Sequence, residues 1–203
     1  MGFYSLPPKG VWPTYSALKD IMDLEVVQWG NSMGDGTIKG TTCQHGAVEC
    51  RTMMVYACDK YTATADKHAQ YIKCYDDILM ETFPAGLPEP SPVNMTFADA
   101  SLKKCATQLG ADWSALDTCA SGSEGEGYFA KEKAKTPAHS GVPFVTIDGG
   151  AIIYNSQTLN LITEVCKAYT GATKPAACST ALQAERGAYT TLFTPADAVE
   201  QTA

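Results

Sequence analysis

Residues 43–58 read Cys43-Gln-His-Gly46-Ala-Val-Glu49-Cys50-Arg-Thr-Met53-Met-Val-Tyr56-Ala-Cys58. This run holds three of the chain's eight cysteines and one of its three histidines. Cys43, His45, Cys50 and Cys58 are all potential zinc ligands. Zinc sites favour closely spaced cysteine pairs, and the six and seven residues that intervene here do not match that spacing. No metal is expected. Structural disulfides explain the cluster best, with a redox pair Cys43–Cys50 as the alternative. His45 is expected to hydrogen-bond a loop backbone. The chain contains no Cys-x-x-Cys.

Around this run the composition sets bounds. The 203 residues suit one domain that can bury its own core. A net charge of −7 argues against a nucleic-acid partner. The longest apolar runs, such as Gly150-Ala-Ile-Ile-Tyr154, fall far short of the ~20 residues a bilayer span needs. Membrane association is therefore expected only through partners. Eight spread cysteines read as a disulfide framework in an oxidising lumen. Asn94-Met-Thr96 is a glycosylation sequon that fits a secretory route. Met1-Gly-Phe-Tyr-Ser-Leu-Pro7 lacks the basic start and apolar stretch of a signal peptide, so Met1 is not expected to be the translation start. No Ser-His-Asp set stands out, and Gly34-Asp-Gly36 is too short for a nucleotide loop, so no cofactor is expected.

The pattern along the chain predicts a strand end at Phe3–Leu6, broken by Pro7-Pro8. A helix follows over Trp12–Met22, then a strand over Leu24–Trp29. Gly34, Gly36 and Gly40 mark a loop. Helical stretches run from Glu49 to about Phe83, interrupted near Lys60–Ala63. Pro84–Pro92 is a connector. Helices are expected at Ala98–Leu109, closed by Gly110, and at Asp112–Cys119. A flexible turn at Gly122–Gly127 precedes a short helix over Tyr128–Lys135. Val142–Asp148 and Ala151–Tyr154 read as strands joined by a Gly149-Gly150 turn, before an amphipathic helix over Gln157–Tyr169. This order predicts an α/β, thioredoxin-like fold with a helical, disulfide-braced insertion. Residues 1–181 form the expected domain, with the insertion at about 50–135. Residues 182–203 form a C-terminal tail that would be disordered unless partnered.

The 43–58 run resembles the signature of the gamma-interferon-inducible lysosomal thiol reductase family. Cys43, Gln44, His45, Gly46, Glu49, Cys50 and Cys58 all fall in register with it. The resemblance extends from about Phe3 to Cys178. Trp29-Gly-Asn31 is similar to the family's stretch after its second strand. Cys105 and Cys119 sit at the two ends of the insertion helices, as in the family, and Cys166 with Cys178 resembles its C-terminal pair. His139–Gly149 resembles the thioredoxin-type proline segment. That implies a cis Val142–Pro143 bond facing the redox position. Met53 and Tyr56 replace polar residues of the family pattern, which points to a buried face or, as the alternative, to a surface that another chain covers. Sequence cannot fix the connectivity. Locality suggests Cys105 with Cys119 and Cys166 with Cys178, leaving Cys43, Cys50, Cys58 and Cys74 to pair among themselves. His68 and His139 show no evident partners.

Members of that family carry Cys-x-x-Cys at the start of the first helix. There the helix dipole lowers a thiol's pKa and the thiolate attacks a substrate disulfide. Here Pro7-Pro-Lys9-Gly10 occupies that place, with Pro7 and Gly10 at the two cysteine positions. Neither has a nucleophilic side chain. The resemblance thus implies a non-catalytic relative, kept as a structural or binding subunit, with a larger lumenal or membrane-associated assembly as an option. Its partner surface is expected at the N-terminal face (Phe3, Tyr4, Trp12, Tyr15) and the 182–203 tail. The alternative is an active thiol-disulfide oxidoreductase in an acidic lumen. Peptide binding beside Val142-Pro143 is a third class. A lysosomal or secretory lumen is favoured, with a thylakoid or other organelle lumen as an option.

Overall fold

A computed structural model describes residues 10–84, 91–153 and 160–192, with side-chain surroundings given up to 150 and for 160–185. The expected strand at Phe3–Leu6, Pro7, the middle of the proline connector and the end of the tail lie outside the described residues. The protein is mostly helical. Among the described residues it divides into two compact units. One is built from 23–84 and 91–145, the other from 10–22, 146–153 and 160–192.

The first unit centres on α2 (Ala47–Thr62). This helix is buried around most of its circumference: Thr52, Met54, Val55, Tyr56, Ala57, Cys58 and Asp59 all leave solvent. A helix apolar on several sides belongs inside a bundle, and α2 packs against α3, α4, α5 and α6. α3 (Ala65–Thr82) starts at the Thr64 cap, whose hydroxyl accepts from the Lys67 N–H. Tyr71, Ile72, Tyr75 and Leu79 make its buried stripe. α4 (Met95–Leu109) is capped by Asn94, which accepts from the Phe97 N–H. α5 (Trp113–Ala120) is capped by Asp112, which accepts from Ser114 and Ala115. Arg51 of α2 staples these last two helices: it donates to Asp99, Asp117 and Ser121. The Arg51 side chain also lies over the Trp113 ring.

α6 (Ser123–Lys135) corrects the expectation of a flexible turn at Gly122–Gly127. Its first turn carries Glu124 and Glu126, which suit the positive end of a helix. A side chain at Gly125 would meet the Cys119 carbonyl at 2.4 Å. The glycine there permits close packing of helix against helix rather than marking a flexible loop.

The strand expected over Leu24–Trp29 does not form. Its backbone is satisfied another way. The Gln28 N–H donates to Glu132 Oε2 at 2.8 Å, and Lys60 Nζ donates to the Val26 carbonyl at 2.8 Å. Lys60 and Glu132 are themselves paired at 2.9 Å, with the Glu132 side chain fully buried. The Tyr61 hydroxyl donates to Glu132 as well. A buried carboxylate and a half-buried ammonium take the places a neighbouring strand would fill, so no ladder is needed. Trp29 then packs on Phe129, with ring centroids 5.0 Å apart. Strand pairing in this stretch is confined to β1 (Met33–Gly34) against β2 (Thr41–Thr42), antiparallel, with Met33 opposite Thr42.

In the second unit, α1 (Val11–Leu18) packs on α7 (Leu161–Ala168), and α7 on α8 (Ala176–Leu192). α1 is shorter than the expected helix and ends in a 3-10 turn at Lys19–Ile21. Trp12, Leu18, Leu161, Val165 and Ala181 are buried. α8 continues to Leu192, so the first part of the expected tail is helical; 193–203 lie outside the described residues. β3 (Phe144–Ile147) and β4 (Gly150–Ile153) form a hairpin. Its turn falls on Asp148 and Gly149, both with positive φ, one residue earlier than expected. Among the described residues no helix is long and apolar enough to cross a membrane.

Candidate functional site

The signature run forms a compact knot at the start of α2. Cys43 is bonded to Cys50, with Cα atoms 5.5 Å apart. Gly46 is the N-cap and sits at φ 85°, where a side chain would be strained. Glu49, in the first turn, reaches back so that the His45 N–H donates to its Oε2 at 2.7 Å. The other oxygen of Glu49 meets His45 Nδ1 at 3.1 Å. This is a capping-box contact shifted one residue toward the loop. His45 is therefore held by a carboxylate rather than by the loop backbone expected from sequence. Asn31 Nδ2 donates to Gln44 Oε1 at 2.8 Å, and the buried Ser32 hydroxyl donates to Cys43 Sγ at 3.4 Å. Each polar residue of the motif thus has a local structural task.

Asn31 also ties the knot to the proline segment, because its Oδ1 lies 3.1 Å from His139 Nε2. His139 Nδ1 faces the Pro137 carbonyl at 2.8 Å, and its ring lies 5.9 Å from the Phe144 ring. The Val142–Pro143 bond is cis, and Val142 is exposed. Beyond the knot, Asp35 accepts from the backbone and hydroxyl of Thr37. Those bonds hold its carboxyl below the usual range and shape the β1–β2 loop.

The remaining bridges are Cys58–Cys119, Cys74–Cys105 and Cys166–Cys178. The local pairing of Cys105 with Cys119 is thereby corrected, and so is the expectation that Cys58 and Cys74 find partners within their own cluster. Helix packing decides these partners: α2 faces α5, and α3 faces α4. Every cysteine in the chain is bridged. Tyr56, which departs from the family pattern, is buried and makes edge-on contacts with Tyr71 and Tyr75. Burial pushes the Tyr75 phenol up to about 12. His68, read from sequence as partnerless, meets Asp59 at 2.7 Å in the interior.

In the second unit, Gly10 is the N-cap of α1. Its carbonyl accepts from the Thr14 N–H and the Thr14 hydroxyl. Trp12, expected on a partner-facing surface, is buried, and Tyr15 is half-buried. Sequence reasoning passed over Ser32 and the Lys60–Glu132 pair, and singled out Asn31 without a task for it. Their roles depend on partners far along the chain, and no local pattern signals them.

A helical scaffold braced by four disulfides and carrying this knot defines a class of protein built around paired cysteines. The family model for gamma interferon inducible lysosomal thiol reductase (GILT) matches residues 8–85. A gamma-interferon-inducible lysosomal thiol reductase of Carassius auratus is 30% identical over 188 residues, covering 87% of this chain and 67% of the relative. The Mus musculus protein of that name is 28% identical over 195 residues, covering 88% and 67%. A gamma-interferon-responsive lysosomal thiol protein of Arabidopsis thaliana is 28% identical over 170 residues, covering 80% and 63%. The chain belongs to the GILT family.

Proposed function

We propose that this protein is a non-catalytic GILT-family member that serves as a structural or binding subunit. The observation that carries the reading is the start of α1. A thiolate needs a cysteine there, and Gly10 stands at the helix cap with no side chain to react. Pro7 would fill the other redox position by sequence. All eight cysteines are meanwhile committed to bridges within the chain. The scaffold descends from a thioredoxin-like arrangement. A helix before the signature, and a hairpin followed by a helix after the insertion, support that descent. Four disulfides fit an oxidising lumen, and the lysosome is the favoured one, since the relatives are named as lysosomal.

The partner surface includes the 193–203 end and the face around Tyr15, with buried Trp12 contributing to packing instead. The partner is another protein of a lumenal or membrane-associated assembly. Removing residues 193–203 should release the protein from that assembly on native gel separation; unchanged co-migration would refute this surface.

The second reading, a thiol-disulfide oxidoreductase, draws on the names of the relatives and on Cys43–Cys50 beside His45. An insulin-reduction assay with dithiothreitol separates the two. The full chain should show no turnover above reductant alone. Turnover lost in Cys43→Ser or Cys50→Ser would establish the second reading.

A further inference from the structure

The two sulfurs of the Cys43–Cys50 bridge differ in a way that defines a reaction. Cys43 is buried, at 4% exposure, while Cys50 is half-buried. The Ser32 hydroxyl donates to Cys43 Sγ. Ser32 is held in place by a turn, its N–H donating to the Trp29 carbonyl, and Trp29 is anchored on Phe129. A fixed donor therefore points at one sulfur of the pair, the inner one. Cys50 also lies in the first turn of α2, whose positive end draws an entering thiolate toward it.

We propose that Cys50 is a site of exchange with a low-molecular-weight thiol. The entering thiolate attacks Cys50 Sγ. A bond forms between the two sulfurs, the Cys43–Cys50 bond breaks, and its electron pair leaves on Cys43 as a thiolate that accepts the Ser32 hydrogen bond. A second thiolate then attacks the small thiol's sulfur in the mixed disulfide. That releases the oxidised small disulfide and leaves Cys50 reduced. Two small thiols are oxidised and one protein bridge is reduced, so the electrons balance. Because Cys50 is half-buried, a small thiol reaches it more readily than a thiol on a folded protein, and the site answers to small thiols. Opening it frees the loop that carries Gln44 and His45.

The other bridges differ. Cys58, Cys105, Cys166 and Cys178 are fully buried, and Cys119 nearly so. Cys74 is half-buried, but its bridge ties α3 to α4, and the polar atom near Cys74 Sγ is an acceptor, Gln108 Oε1. Attack on Cys74 would expel Cys105 as a thiolate inside the buried packing of α4, where an unpaired charge is costly.

The test treats the native full chain with graded reduced glutathione, quenches with acid, alkylates and maps cysteines by mass spectrometry. Cys43 and Cys50 should open at concentrations that leave the other three bridges closed, with the glutathione adduct on Cys50. Ser32→Ala should slow this opening about tenfold, the size expected for losing a hydrogen bond to a charged group. It should leave the melting temperature and the other bridges unchanged. An adduct on Cys43, simultaneous opening of Cys74–Cys105, or an unchanged rate in Ser32→Ala would overturn the proposal. Insulin turnover is a separate readout, so its result bears on the subunit reading and not on this one.

Discussion

Two bridges leave α2, one near each end, and they sit in opposite settings. Cys58 bonds Cys119 across a sequence separation of 61, inside the packing of α2 on α5. Cys50 bonds Cys43 across a separation of 7, at the edge of the unit and beside a polar loop. The first joins helices that already bury apolar side chains together. The second shapes a short loop whose contacts are mostly hydrogen bonds. Disulfide frameworks thus combine two jobs in one helix: a long bridge that holds the fold, and a short one that sets the geometry of a motif.

The contrast can be broken by removing each bridge. Cys58→Ala with Cys119→Ala should cost roughly 4 kcal/mol by the loop-entropy relation, read from urea unfolding. Next comes the buried charge that replaces a strand. Glu132→Ala should cost about 3 kcal/mol, because it leaves the Gln28 N–H without its acceptor and Lys60 with only Glu25 and the Val26 carbonyl. Hydrogen exchange at Gln28 should speed up in the same variant. Cys43→Ala with Cys50→Ala should cost roughly 2.5 kcal/mol by the same loop relation. If this pair costs as much as Cys58 with Cys119, the distinction between the two settings fails.

The smallest effect concerns pH. The Lys135 hydrogen bond, with help from Lys60 and against desolvation, holds the Glu25 carboxyl below its usual range. A depressed carboxylate stabilises the fold above its unfolded pKa, and that contribution is lost as pH falls through the folded pKa. Glu25 is more than half exposed, so Glu25→Gln should cost less than about 1 kcal/mol at neutral pH. The gap between variant and parent should close as the solution is acidified below the folded pKa. A gap that widens instead would contradict the assignment.

The helices were legible where local signals agree. Gly110 closes α4 as expected, and the break expected near Lys60–Ala63 falls at Ala63 and Thr64, because caps and breakers act within a few residues. The Leu24–Trp29 stretch was misread as a strand for the opposite reason. Its apolar pattern is strand-like, yet its hydrogen bonds go to Lys60 and Glu132, far along the chain. Glycine composition hid the start of α6, since Gly125 serves close packing. The signature residues could be named from sequence. Their tasks could not, because Asn31, Ser32 and Glu49 reach them only in the folded chain.

The most direct test of the subunit reading restores the missing chemistry. Pro7→Cys with Gly10→Cys restores a Cys-x-x-Cys over residues 7–10, whose last position is the cap of α1, and insulin reduction is then compared with the parent chain. The account predicts no turnover by the parent and clear dithiothreitol-dependent turnover by the double variant. Turnover by the parent that disappears on Cys43→Ser or Cys50→Ser would contradict it.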